Sequence, residues 1–284
     1  MIEHGVLKQQ KSISIDEQLG IFLMIVGHAD SNQDVQERFQ CSGSTVSKYF
    51  LEVLNGLSQL YLEVVNLPNP SIMPPEIHSN PKFYPYFQNC IGAADGTHIL
   101  AKFCYILAGW EGSAHDGRVL QYALSQDGRL VVPDGKYYLV DAGYAMKKGF
   151  LPPYRGIRYH LREQILAAQR PNTKEELFNL RHSQLRNAVE RIFGILKKRF
   201  SILKIQMEYP FHVQAQIVQA LAALHNFITI HSVDDELEDW EEAHTQDMGN
   251  VVPMNNSTED DPQMARLRDE IALQMWEDYQ RYTQ

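Results

Sequence analysis

Cysteine is scarce in this chain: its 284 residues hold three, Cys41, Cys90 and Cys104, widely separated and without a CxxC pair. That excludes a disulfide framework and a zinc ribbon, and fits a reducing compartment. No run of about 18 consecutive apolar residues is present, and the start, MIEHGVLKQQKSIS, lacks the apolar core of a signal peptide. The expectation is a soluble, intracellular protein with no membrane partner. The histidines show no HExxH or other paired zinc spacing, so His98, His115, His160, His182 and His225 read as structural. A Gly-rich phosphate loop is also missing, which leaves little support for a hydrolase of small phosphate esters.

Positive charge is short overall, with a net charge of -9, but the deficit is local. Between Asp234 and Gln263 stand 11 acids and no Lys or Arg, so the remainder carries +2. Basic residues gather instead in GYAMKKGFLPPYRGIRYHLR (Gly143 to Arg162) and LKKRFSILK (Leu196 to Lys204), two stretches suited to phosphates or to a solvated face.

With 44% hydrophobic residues the chain supports a sizeable core plus a smaller attachment. Ser14 and Glu17 have capping-box spacing, and Leu19, Phe22, Leu23 and Val26 follow at helical intervals. Ser31 opens a second short helix and Ser42 a third, longer one that buries Val46, Tyr49, Phe50 and Leu54. Three helices with tight turns match a helix-turn-helix, which would offer Ser44, Thr45, Ser47 and Lys48 to DNA; a plain packing module has the same pattern. The Pro- and Asn-rich stretch Asn66 to Pro85 reads as a linker, and the aromatic KFYPYF after it as packing. Then CIGAADGTHIL, KFCYILAGW and KYYLVDAGYA read as strands, and HSQLRNAVERIFGILKKRFSIL and PFHVQAQIVQALAALHNFITIH as helices. The acidic stretch reads as disordered. A last amphipathic helix carries Met264, Leu267, Ile271, Met275 and Tyr279 on one stripe.

Two carboxylates stand out. Asp95 and Asp141 each close an apolar strand beside small residues and glycine. A lone buried carboxylate needs a cation, hydrogen bonds or a metal, so two such strand ends point to one shared site. Glu190 lies about 100° around from the apolar stripe of its helix, with Arg186 four residues before it and Lys197 seven after. Such oxygen donors suit Mg²⁺ or Mn²⁺, and paired ions of this kind serve phosphodiester cleavage. Each acid also has a plain role: a strand-end Asp caps the next turn, and Glu190 with Arg186 is a helical ion pair.

The motifs IGAADGTHI, LAGWEGSAHDGRVL, PDGKYYLVDAGYA, LPPYRG, FNLRHSQLRNAVERIFGILKKRFSIL and ALHNF resemble the PIF/Harbinger transposase family and its domesticated nuclease relatives, from about Ser14 to about Tyr279. The resemblance implies an α/β fold of ribonuclease-H-like type, a mixed sheet with flanking helices, preceded by the small helix-turn-helix-like domain. It implies an Asp, Asp, Glu metal triad of Asp95, Asp141 and Glu190, with Asp116 of GSAHD in a supporting role near the site or, equally, as the cap of the helix after it. It further implies a divalent cofactor, Mg²⁺ or Mn²⁺, DNA as the substrate, and the nucleus as the place of action with the cytoplasm alongside it; a separate DNA-binding partner protein stays open. Arg186, Lys197, Lys198 and Arg199 would then meet phosphate. In one respect the chain departs from the family. THILAKFCYILAGW runs straight from one strand motif to the next where the family inserts an NRKG segment and a further strand. One family strand is therefore expected to be missing, leaving an unpaired edge and a register at risk between Asp95 and Asp141.

The expected organisation is a helical domain over 12–66, a Pro-rich linker over 67–88, a DDE endonuclease-like domain over 89–231, the acidic segment over 232–262 and the terminal helix over 263–284. The expected function is metal-dependent hydrolysis of DNA phosphodiester bonds. The alternative is a catalytically inactive transposase relative that binds DNA or protein.

Overall fold

A computed structural model describes residues 7, 13–95, 97–100, 102–110, 116–125, 130–157, 170–231 and 260–283, with the side chains at 95, 97–100, 116, 188, 190 and 283 outside that description. Ser14 Oγ accepts the Glu17 N–H at 3.1 Å while Glu17 Oε2 accepts the Ser14 N–H at 2.7 Å, and α1 (Ile15–His28) starts there. Ser31 and Asp34 repeat this exchange before α2 (Asn32–Phe39), and Ser42 caps α3 (Gly43–Val64) through the Thr45 N–H. These oxygens satisfy amides that a first helical turn leaves without carbonyl partners.

The buried side of α3 includes Val46, Tyr49, Phe50 and Leu54, as its spacing predicts. In α1 the buried residues are Gln18, Ile21, Phe22, Ile25 and Val26, and Leu23, expected inside, is 47% exposed. The run IFLMIV is apolar all round, so periodicity does not choose its face; packing on α3 does. A later helix, α7 (Phe211–His231), is long and apolar enough to cross a membrane by composition. Its Val213, Ile217 and Ala220 side is buried as it packs along α3, where Asn226 Nδ2 donates to the Val64 carbonyl at 3.1 Å. Phe22, Phe50 and Tyr209 stack in a row, with centroids 5.3 and 5.1 Å apart. This first unit also takes the 3₁₀ turn Ser201–Lys204 and the C-terminal end of α6 (Lys174–Arg199), from Arg191 onward.

The second unit centres on a sheet of β1 (Cys90–Asp95), β2 (Thr97–Leu100), β3 (Lys102–Ile106), β4 (Tyr137–Leu139) and β5 (Phe150–Leu151), in the order β3-β2-β1-β4-β5. Pairing is antiparallel from β3 to β1 and parallel from β1 to β5. Here the structure corrects two expectations. CIGAADGTHIL is not one strand: the chain reverses between Asp95 and Thr97 and again between Leu100 and Lys102, so THIL becomes β2. As a result β1 is paired on both sides, by β2 and β4, and Asp95 does not stand on an open sheet edge.

Against the sheet packs α5 (Asp116–Ser125), whose Leu120 and Ala123 join Ile91, Tyr138, Val140 and Phe150 in one core. Gly149, at φ +82°, comes so close to Val132 that an added Cβ would sit 2.6 Å from its Cγ1, so only glycine closes the return into β5. Within the Pro-rich stretch one short helix forms, α4 (Pro75–His78), and of KFYPYF Tyr86 and Phe87 pack inside, Phe87 beside Phe178 at 5.9 Å, while Tyr84 is exposed. The last helix, α8 (Pro262–Thr283), buries Met264, Ile271 and Met275 of its predicted stripe. Its acids bond aromatic hydroxyls: Tyr86 Oη to Asp278 Oδ2 at 2.8 Å and Tyr154 Oη to Asp269 Oδ1 at 2.6 Å. The acidic stretch expected to be disordered falls almost entirely outside the described residues.

Candidate functional site

β1 and β4 run parallel with Ala93 opposite Leu139. Asp95 closes β1, and Asp141 follows the last residue of β4 by two, so both positions lie at the same end of the sheet. Neighbouring strands lie about 4.8 Å apart, and residues two apart share a face. Val140, between Leu139 and Asp141, points into the core and is fully buried.

Asp141 opens a tight turn. The Tyr144 N–H bonds the Asp141 carbonyl at 3.2 Å, and the Gly143 N–H donates to Asp141 Oδ1. This is an Asx turn closed inside a β-turn, which fixes one carboxylate oxygen. A Cβ on Gly143 would meet Asp141 Oδ1 at 2.9 Å, so any larger residue there would push the carboxylate out of its present place. Arg155 braces the same turn from outside: Nε donates to the Ala142 carbonyl at 3.2 Å and an Nη to the Tyr144 carbonyl at 2.9 Å. Just beyond, the Met146 N–H donates to Asp260 Oδ1 at 3.3 Å and the Met146 carbonyl accepts the Asp261 N–H at 3.0 Å.

The third acid, Glu190, lies on α6, and its side chain is outside the description. The residues that seat the helix are described. Asn179 exchanges two hydrogen bonds with the Tyr154 backbone, at 2.9 and 3.0 Å. His182, fully buried, bonds the Leu151 carbonyl through Nε2 at 2.9 Å, so that nitrogen carries the proton. Burial, reinforced by the charges of Arg186 and Arg268, pushes the His182 pKa down to about 3 against the lift of that hydrogen bond. The ring is therefore neutral near pH 7. Arg186, read from the sequence as a DNA contact, is 5% exposed and sits within the protein on the His182 stripe, not on the surface. Neither Arg155 nor Asn179 was singled out by sequence reasoning.

Residues 84–226, just over half of the chain, match the family model described as DDE superfamily endonuclease. The chain belongs to the DDE superfamily endonuclease family. Residues 1–59 match a domain family of unknown function. No curated protein and no solved structure matches the chain. Membership makes the protein a transposase-like nuclease by family, and members of this superfamily act on DNA and generally use divalent metals. Asp95, Asp116, Asp141, Glu190 and the cations of LKKR all fall inside the matched endonuclease segment. Among the described residues no group of three His, Cys, Asp or Glu is placed to hold a metal, and the Asp95, Asp116 and Glu190 side chains lie outside that set.

The remaining endonuclease-family candidates separate by environment. Lys197 and Lys198 are exposed at the end of α6. Arg199 is half-buried and donates through Nη1 to Nδ1 of the buried His225 at 2.7 Å, an internal contact. In the helical unit, the Ser44 and Thr45 hydroxyls bond the capping Ser42 Oγ at 2.9 and 2.8 Å. Ser47 receives Asn32 Nδ2 at 3.3 Å. Lys48 stands exposed, 3.8 Å from Glu52 and over the Tyr49 ring at 5.0 Å.

Proposed function

We propose that this protein is a divalent-metal-dependent DNA endonuclease of PIF/Harbinger transposase type, acting in the nucleus through Asp95, Asp141 and Glu190 with Asp116 in support. The observation that carries the reading is the parallel β1-β4 pairing, which brings Asp95 at the end of β1 and Asp141, two residues past β4, to the same end of the sheet within a chain of the DDE endonuclease family. The mixed sheet, with an antiparallel arm and a parallel β1-β4 pair that Asp95 closes and Asp141 follows, supports a ribonuclease-H-like fold. The helix pair α2 and α3 supports the helix-turn-helix-like reading, with Lys48 among its exposed cations.

The donor set fits Mg²⁺ or Mn²⁺. All three proposed ligands are carboxylates, and the described one, Asp141, has one oxygen fixed by Gly143 and is half-buried beside a strand end. When bound, such ions supply an activated water and Lewis-acid stabilisation of the leaving oxygen. The chain's own part is to hold the acids in place, to present Glu190 from a helix seated by Asn179 and His182, and to draw the phosphate backbone with Lys197 and Lys198. A separate DNA-binding protein would add sequence recognition to this backbone attraction.

Nicking of supercoiled plasmid in Mg²⁺ or Mn²⁺ tests the reading. The chain is expected to nick, chelation of the metal to stop it, and Asp141→Asn at equal folded concentration to lower the rate by at least ~100-fold, the scale on which loss of a residue that acts as part of a unit registers. Unchanged cleavage by Asp141→Asn would refute its role. DNA binding that persists without metal and without nicking would instead favour the binding-module alternative.

A further inference from the structure

The motif LPPYRG, Leu151 to Gly156, supplies no ligand in the catalytic reading above, yet its backbone is tied at several points. The Leu151 carbonyl accepts from His182, the Pro153 carbonyl from Arg268 at 3.4 Å, and both backbone groups of Tyr154 are bonded by Asn179. Tyr154 Oη reaches Asp269, and Arg268 lies over its ring at 4.0 Å. One residue later, Arg155 is exposed and sends its guanidinium back along the surface to the turn that carries Asp141. Its fork reaches the carbonyls of Ala142 and Tyr144, the residues on either side of Gly143, whose N–H holds Asp141 Oδ1.

We infer that Arg155 is a positioning residue for the candidate metal centre: it fixes the Asp141 turn to the Leu151–Tyr154 segment, which is itself fixed to α6, the helix of Glu190. This rests on the proposed reading of Asp141 as a metal ligand and deepens it. The chemistry favours arginine. Only a planar fork spans two carbonyls separated by a residue, whereas a lysine ammonium is a point donor and reaches one. The sign of the effect also separates positioning from electrostatics. A cation this close to a metal site repels the metal by Coulomb's law, so its removal would strengthen binding if charge were all that mattered. Positioning demands the opposite, because outer residues that orient a ligand typically carry 10- to 100-fold in metal affinity.

The experiment uses the full chain, its Arg155→Gln and Arg155→Lys variants, and Mn²⁺ alone as the probe. Isothermal titration measures Mn²⁺ affinity, and amide exchange of the peptide covering 141–146 is followed in the metal-free proteins. Arg155→Gln is expected to bind Mn²⁺ about tenfold more weakly and to exchange faster across 141–146, with the melting temperature little changed; Arg155→Lys should fall between. If Arg155→Gln does not fold, Arg155→Lys is judged by the same two measurements. Equal or tighter Mn²⁺ binding by the variant, or unchanged exchange in the turn, would overturn the positioning role while leaving the metal centre standing. Failure of the unmutated chain to bind Mn²⁺ would overturn the metal-centre reading and the inference with it.

Discussion

Asn179 and Tyr154 exchange two hydrogen bonds: the Tyr154 N–H donates to Asn179 Oδ1 at 2.9 Å, and Asn179 Nδ2 returns a bond to the Tyr154 carbonyl at 3.0 Å. The side-chain amide of a helix residue thereby serves a loop backbone as a strand partner would. Asn179 is fully buried, so its removal leaves two backbone groups without their bonds. Asn179→Ala is expected to lower unfolding free energy by about 3 kcal/mol in urea titration. A loss below about 0.5 kcal/mol, typical of exposed sites, would show that the clamp is dispensable.

His182 gives the chain an acid-sensitive element. Its folded pKa, about 3, is far below the ordinary value of 6.5, chiefly through burial and then through Arg186 and Arg268. As pH falls below 6.5 the unfolded chain takes up a proton that the folded chain refuses, so stability present above pH 6.5 is lost progressively toward pH 3. Comparing unfolding free energies of the parent and His182→Gln over that window isolates this group from carboxylates such as Glu17 and Asp34, held low by hydrogen bonds from Ser14 and Ser31. The variant should show the shallower decline. An identical decline would mean that His182 charges without cost.

Three cations that stand together in the sequence are expected to behave in two ways. Lys197→Ala with Lys198→Ala should reduce the slope of log K against log salt for DNA binding by about 2, with little change in melting temperature. Arg199→Ala should instead destabilise the protein by about 2 kcal/mol, since Arg199 bonds the buried His225. A normal melting curve for Arg199→Ala together with weakened DNA binding would return it to the phosphate contacts.

How far the sequence carried depends on where each residue's partners lie. The end of β1 and the turn that follows β4 were legible because an apolar run closing in Asp with glycine nearby marks the end of an extended segment in the chain itself. The reversal after Asp95 was not, because THIL is as apolar as the strand before it and the boundary is set by pairing with β3. Arg186 and Arg199 were assigned to the surface since isolated cations belong there; the burial of Arg186 and the bond of half-buried Arg199 to His225 come from packing with residues distant in sequence. A trace of the first was present: Asn179, His182, Arg186 and Val189 fall at helical spacing, a polar continuation of the apolar stripe. Arg155 left no such trace, because its partners are backbone carbonyls 13 and 11 residues earlier in the chain.

The central claim is that Asp95, Asp141 and Glu190 assemble one metal-dependent nuclease site, and Glu190 is the member whose place rests on the helix alone. The most direct measurement is Mg²⁺- or Mn²⁺-dependent nicking of supercoiled plasmid by the chain and by its Glu190→Gln variant at equal folded concentration. The account predicts nicking by the unmutated chain only. Nicking at equal rate by both would remove Glu190 from the site, and nicking by neither, with both folded, would contradict a nuclease function for this protein.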